Sequence, residues 1–123
     1  FASLVKMDHI IYMQNAYVAM EAGGTGSEME AVKVDHTQCR LGKWYREGNG
    51  RAVFGMTKAF SELDRPHAAV HSSVHRALAT VQERDIEDDT TRAIVVDALS
   101  AAEAASGEVM RLIGDMVAEK HGI

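Results

Sequence analysis

The chain has 123 residues, 46% of them hydrophobic, and its 13 basic and 18 acidic side chains give a net charge of −5. This length and composition predict one globular domain over residues 1–123 and argue against a disordered chain. The acidic balance without a basic stripe argues against nucleic acid as a partner, and with no apolar run of about 18 residues we expect no membrane contact by this domain.

Five helices are predicted, three long and two short, over residues 2–22, 36–46, 51–62, 66–84 and 90–120. Glycines within 23–26 end the first helix, and the connection over 27–34 has no predicted structure. Asp35 is the expected N-cap of the second helix, with Gln38 in the capping-box position. Pro66 is expected in the first turn of the fourth helix, where its missing N–H is harmless.

This order of helices, without any alternating strand pattern, predicts an all-α fold. We expect an antiparallel four-helix bundle in which the two short helices over 36–62 together fill one of the four positions. The first helix also carries a second apolar strip beyond its core seam, formed by Leu4, Met7, Ile11 and Val18. This strip either packs against the short helices or contacts a second copy of the chain, which makes a homodimer an expected partner.

Three histidines interrupt the apolar seams that should face the core. His67 and His71 continue such a seam on the fourth predicted helix, His9 lies in the seam of the first, and His75 lies one position off. Buried imidazoles need hydrogen-bond partners or a metal. A single one is usually an ordinary core residue, but three together with the only cysteine, Cys39, also make a donor set that suits tetrahedral zinc. The residues by themselves leave both interpretations open.

The residues around these positions form three blocks, HIIY from His9, CRLGKWY from Cys39, and HAAVH from His67 to His71. The pattern resembles the chemoreceptor zinc-binding (CZB) domain family, in which a Cys-x-Leu-Gly-x-Trp-Tyr block lies between a first histidine and a His-x-x-x-His pair. The resemblance covers essentially the whole chain. It implies a four-helix bundle, often a homodimer, that holds one Zn²⁺ through His9, Cys39, His67 and His71.

The resemblance also implies a bacterial cytoplasmic sensory domain joined to a signalling output domain in the same full-length chain. Family members regulate chemotaxis or cyclic-di-GMP signalling and respond to zinc or to oxidants such as hypochlorous acid. Cys39 is the expected redox-sensing residue, because zinc holds sulfur as the thiolate that oxidants attack. The chain starts at Phe1 rather than methionine, so we expect it to be part of a longer protein.

Further residues are expected around the metal. Asp35 is either only an N-cap or also a carboxylate that tunes a ligand. Tyr12, one turn from the first histidine, is expected to form a wall of the pocket, and Trp44 to pack its short helix and shield the metal from water. Asp8 is expected to point into solvent, and His36 to be exposed unless it has an extra role near the site.

Three functional classes fit such a bundle. We expect no enzyme, because four protein ligands leave no open position for water on zinc, and the inward seams lack the glutamates of a di-iron site. A zinc-dependent sensory domain is the prediction, and a dimerisation bundle with a purely structural zinc is the alternative. The two share every sequence feature, and fast reaction of Cys39 with an oxidant would distinguish them.

Overall fold

The computed structural model describes residues 2–122, and these residues form six α-helices with no strand among them. The helices are α1 (Ala2–Glu21), α2 (Ser27–Val32), α3 (Arg40–Arg46), α4 (Gly50–Phe54), α5 (Lys58–Glu83) and α6 (Asp89–His121). Within the described residues no helix is both long and apolar enough to cross a bilayer. The predicted all-α fold is confirmed.

The three long helices form the body of the bundle. α5 and α6 are joined by a short turn over 84–88 and pack along one another as antiparallel neighbours, while α1 contacts both. The short helices line the remaining side, with α2 on α1 and α5, α3 on α1, and α4 on α6. The segment over 27–34, for which the sequence predicts no structure, contributes α2 to this side.

Most residues of the predicted seams are buried in the core, and Tyr12, Val81 and Ala105 are partly buried. Apolar members of the core on the long helices are Val5, Ala16, Ala19, Val70, Val74, Leu78, Val95, Ala98, Ala102, Val109, Leu112 and Met116. His9, His67 and His71 lie among them with at most 4% of their surface exposed. The seam positions of these histidines are therefore inward positions, as the periodicity predicts.

Helix α3 begins later than the sequence predicts. Asp35 as its N-cap is wrong, because Cys39 occupies the N-cap position and α3 starts one residue after it. The Asp35 carboxylate instead accepts hydrogen bonds from the Thr37 N–H, at 2.8 Å, and from the Thr37 hydroxyl. This local turn is one that aspartate side chains favour, and here it replaces the helical cap.

Helix α5 begins earlier than predicted. A separate short helix over 51–62 is wrong, since α4 and α5 divide this range, and Thr57 caps α5 by accepting the Phe60 N–H at 3.2 Å. Pro66 consequently lies inside α5 rather than in its first turn. An interior proline removes one helical hydrogen bond. Burial of Phe60 and Leu63 in the first turns of α5 offsets that loss.

The second apolar strip of α1 is left uncovered in the single chain. Leu4, Met7, Ile11 and Val18 are between 43% and 58% exposed. The expectation that this strip packs against the short helices is therefore wrong, because α2 and α3 contact α1 without covering it.

Candidate metal centre

Three metal-binding side chains converge where α5 meets the turn before α3. One ligand atom from each of Cys39, His67 and His71 lies within 4.8 Å of the other two, and Cys39 Sγ is 3.2 Å from His67 Nε2. Zn–S and Zn–N bonds of about 2.3 and 2.0 Å place the ligand atoms of a tetrahedral zinc site roughly 3.5 Å apart. The three side chains are therefore spaced to share one metal ion.

One long helix and one tight turn set these positions. α5 presents His67 and His71 one helical turn apart on its core face, as the spacing of four residues dictates. Cys39 lies at the N-cap of α3, and its sulfur contacts His67 of α5 from there. Gly42 permits this fold, because a Cβ there would lie only 1.8 Å from the carbonyl oxygen of His36.

A backbone carbonyl orients His71. Its Nδ1 lies 2.9 Å from the Val34 carbonyl oxygen, which can only accept a hydrogen bond, so Nδ1 carries the proton. The unprotonated Nε2 is then the nitrogen left to bind a metal. Metal-binding histidines ordinarily use their second ring nitrogen in this way, which fixes the tautomer and the ring orientation.

His9 lies next to this group on α1. Its ring centroid is 5.4 Å from that of His67, and the residue is 4% exposed. Among the described residues its Nδ1 finds no hydrogen-bond partner although the atom is buried. An unpaired buried nitrogen is unfavourable by about 1–3 kcal/mol, and metal coordination nearby would compensate for it. The group of ligand atoms within 4.8 Å of one another does not include His9, so its role as a fourth ligand stays a prediction, which the unpaired nitrogen supports.

Burial keeps the two α5 histidines neutral. Loss of hydration lowers the pKa of His67 to about 2, and the neighbouring histidines add to this effect. Burial likewise lowers the pKa of His71 to about 4, partly opposed by its hydrogen bond to the Val34 carbonyl. The pKa of His9 is also lowered, chiefly by burial. Neutral imidazole is the form that binds metal, so protons do not compete with a metal ion for these residues at neutral pH.

Two opposing effects act on the Cys39 thiol. Burial raises its pKa, whereas the backbone N–H groups of Gly42 and Leu41 at the start of α3 lower it. Burial is the larger effect, so without a metal the sulfur is a protonated thiol. Binding a divalent cation would remove this proton, since only a thiolate acts as a ligand.

The model of the chemoreceptor zinc-binding domain family matches residues 9–78. The chain belongs to this family. The match begins at His9, ends within α5, and includes Cys39, His67 and His71; it covers more than half of the chain rather than all of it. Comparison with curated proteins and with solved structures finds no match.

The CZB site opens toward the protein surface. A cavity of about 270 Å³ is lined by Cys39, His71 and Tyr12, and also by Asp8 and Arg40. Asp8 does not point into solvent as the sequence suggests; its carboxylate is half-buried and lies 3.2 Å from Arg40 Nε. The half-buried Cys39 can therefore be approached by a small molecule through this cavity, beside an ion pair.

The other predicted neighbours of the metal differ in their positions. Tyr12 lies against the site, with its ring centroid 4.5 Å from that of His71. Trp44 packs α3 onto α4 and α5 through the rings of Phe54 and Phe60, at 5.8 and 6.2 Å, and its role as a water shield stays a prediction. Asp35 is exposed and its carboxylate binds Thr37, so no hydrogen bond joins it to a ligand among the described residues.

Two further histidines of the CZB domain, His75 and His36, lie beside the site. His75 donates from Nε2 to the Val32 carbonyl at 2.7 Å, which accounts for its place beside the seam. His36 is half-buried rather than exposed, and its ring meets the edge of His67 at 5.6 Å while its Nε2 lies 3.5 Å from Asp64. Helical periodicity could not place His36, because it lies in the turn before α3; its spacing of three residues from the cysteine is the only signal in the sequence.

Proposed function

We propose that this domain binds one Zn²⁺ through His9, Cys39, His67 and His71 and acts as a zinc-dependent sensory domain. The observation that carries the proposal is the convergence of Cys39, His67 and His71 in a chain of the CZB family. His9 supplies the fourth ligand in this proposal, and its unpaired buried nitrogen supports the assignment. With four protein ligands the site has no position for substrate water, so we propose no enzymatic activity.

In the proposed sensor Cys39 is the reactive residue. Bound zinc would hold its sulfur as a thiolate, the nucleophilic form. Hypochlorous acid would transfer its chlorine to that thiolate and leave hydroxide, and water would then displace chloride from the sulfenyl chloride to give sulfenic acid and a proton, which neutralises the hydroxide. Sulfur is oxidised and chlorine is reduced to chloride. The adjoining cavity of about 270 Å³ supports access for an oxidant of this size. Because the sequence has one cysteine, no disulfide within the chain can follow.

Loss of the sulfur ligand would be transmitted through the segment before α3. This segment is tied to the site at both ends, by the His71 hydrogen bond to the Val34 carbonyl and by Cys39 itself. Residues 33–39 form no helix, so few backbone hydrogen bonds oppose their movement. A change at the metal would therefore shift this segment and α3 relative to the long helices.

The setting of this sensor follows from its family. We propose a bacterial cytoplasmic domain that regulates an output domain in the same full-length chain, in chemotaxis or cyclic-di-GMP signalling. We also propose a homodimer, supported by the uncovered strip of Leu4, Met7, Ile11 and Val18 on α1. Met7→Glu should then convert a dimer into a monomer in sedimentation equilibrium, whereas the same charge at the exposed Val96 of α6 should not.

The decisive experiment measures zinc affinity before and after oxidation. The wild type and Cys39→Ala are titrated with zinc against a competing chelator, each with and without one equivalent of hypochlorous acid. The proposal predicts that the oxidant weakens wild-type binding and leaves Cys39→Ala unchanged. Wild-type affinity that ignores the oxidant would favour the alternative, a dimerisation bundle with a purely structural zinc. Equal weakening in both proteins would place the damage outside Cys39.

A further inference from the structure

His36 is a donor that the four-ligand set leaves unused. It lies three residues before Cys39 in the same turn, and its carbonyl oxygen is 3.7 Å from Cys39 Sγ. Its ring centroid is 5.6 Å from that of His67, in edge contact. A fifth donor group thus lies next to the four proposed metal ligands, on the segment that also carries the sulfur.

The interaction that holds the His36 ring in place is weak. Its Nε2 lies 3.5 Å from Asp64 Oδ1, and the side chains are 24% and 41% exposed. Even a charged contact near the surface contributes only about 0–1 kcal/mol. Asp64 also pairs with Arg46 at 3.3 Å, so it keeps a partner when His36 leaves. The His36 ring can therefore move away from Asp64 with only a small loss of stabilising free energy.

The backbone around His36 also permits such a movement. Residues 33–39 lie outside any helix, and the turn at Asp35 and Thr37 is held by local side-chain hydrogen bonds at the surface. The ring needs a rotation of its side chain and a small adjustment of this turn, while α5 stays fixed. Imidazole is a neutral ligand that zinc accepts in place of thiolate.

From this arrangement we infer that His36 is a reserve ligand, which binds the zinc ion in place of Cys39 when the sulfur is oxidised or absent. The inference rests on the proposed zinc site. The ion is then held by four nitrogen ligands, from His9, His36, His67 and His71, less tightly than with the sulfur but without leaving the protein. Oxidation consequently replaces Cys39 as a ligand by His36, three residues earlier in the same turn. This exchange shifts the start of α3 while zinc stays bound.

A double-mutant cycle on zinc affinity tests the inference, with His36→Gln made in the wild type and in Cys39→Ala. We expect no change in the zinc affinity of the wild type and a loss of at least about tenfold in Cys39→Ala. About tenfold is the lower end of the loss in metal affinity on removing a residue that only hydrogen-bonds to a metal ligand, and a direct ligand should contribute at least as much. His121→Gln, at the exposed end of α6, is the matched control and should change neither protein. A purely structural role of His36 would weaken both backgrounds equally, and that result would overturn the inference.

Ligation is read directly from the ring nitrogens. In long-range ¹H–¹⁵N spectra, zinc should move a His36 nitrogen to the metal-bound region in Cys39→Ala and leave it in place in the wild type. A His36 signal that ignores zinc in Cys39→Ala, or a Cys39→Ala protein that binds no zinc, overturns the inference. A wild type that binds no zinc would instead refute the proposed function, so the two failures are distinguishable.

Discussion

The metal-free domain should lose stability steeply as the pH falls below neutrality. His67 and His71 have folded-state pKa values of about 2 and about 4, against 6.5 in an unfolded chain. Between pH 6.5 and 4 the unfolded state therefore binds more protons than the folded state, and stability falls as the pH falls. At pH 5 each histidine binds its proton only in the unfolded chain and removes about 2 kcal/mol, so the pair removes about 4 kcal/mol relative to pH 7.5. The lowered pKa of His9 acts in the same direction.

Titration of the carboxylates with lowered pKa values does not mask the loss of stability between pH 6.5 and 5. Asp35, Asp88 and Glu108 have pKa values lowered by hydrogen bonds, and their stabilising effect is lost only at more acidic pH. Urea unfolding of chelator-treated protein at pH 7.5, 6 and 5 measures the effect. In His71→Gln the loss between pH 7.5 and 5 should shrink by about 2 kcal/mol, the share of His71, and in His121→Gln it should be unchanged. A metal-free protein equally stable at pH 7.5 and 5, or an undiminished pH dependence in His71→Gln, would refute the reasoning.

Two further predictions concern the neighbourhood of Cys39. Zinc binding at pH 7 should release about one proton, that of the Cys39 thiol, because burial keeps the histidine ligands neutral. Calorimetry in buffers of different ionisation enthalpy measures the number of protons released, and proton release on zinc binding by Cys39→Ala would contradict the prediction. Gly42→Ala should weaken zinc binding and destabilise the fold by about 1–3 kcal/mol, because its Cβ would lie 1.8 Å from the His36 carbonyl oxygen. Gly107→Ala, where no atom outside its own helix lies within 4 Å, is the control, and equal effects in thermal unfolding and zinc titration would contradict the argument.

Long-range periodicity was sufficient to find the inward histidines. A helix repeats its faces strictly, so the seam positions of His9, His67 and His71 follow from spacing alone and the structure buries all three. The all-α bundle follows from the same regularity. Cys39 could be grouped with these histidines only through the CRLGKWY block, because nothing in periodicity relates a short turn to a distant helix.

Local competition between alternative turns was harder to predict. An aspartate side chain can cap a helix or accept hydrogen bonds in a local turn, and in the structure Asp35 binds Thr37. Pro66 marks helix starts in general, but the Thr57 cap and the buried Phe60 extend α5 past it. The position of His36 depends on that same turn, which is why the sequence suggested an exposed ring.

The most direct test of the central claim is X-ray absorption at the zinc edge of the purified wild-type domain. The account predicts one zinc per chain, with one sulfur at about 2.3 Å and three nitrogens at about 2.0 Å. Zinc without a sulfur neighbour would remove Cys39 from the site and with it the proposed redox response. A domain that retains no zinc would contradict the metal centre itself.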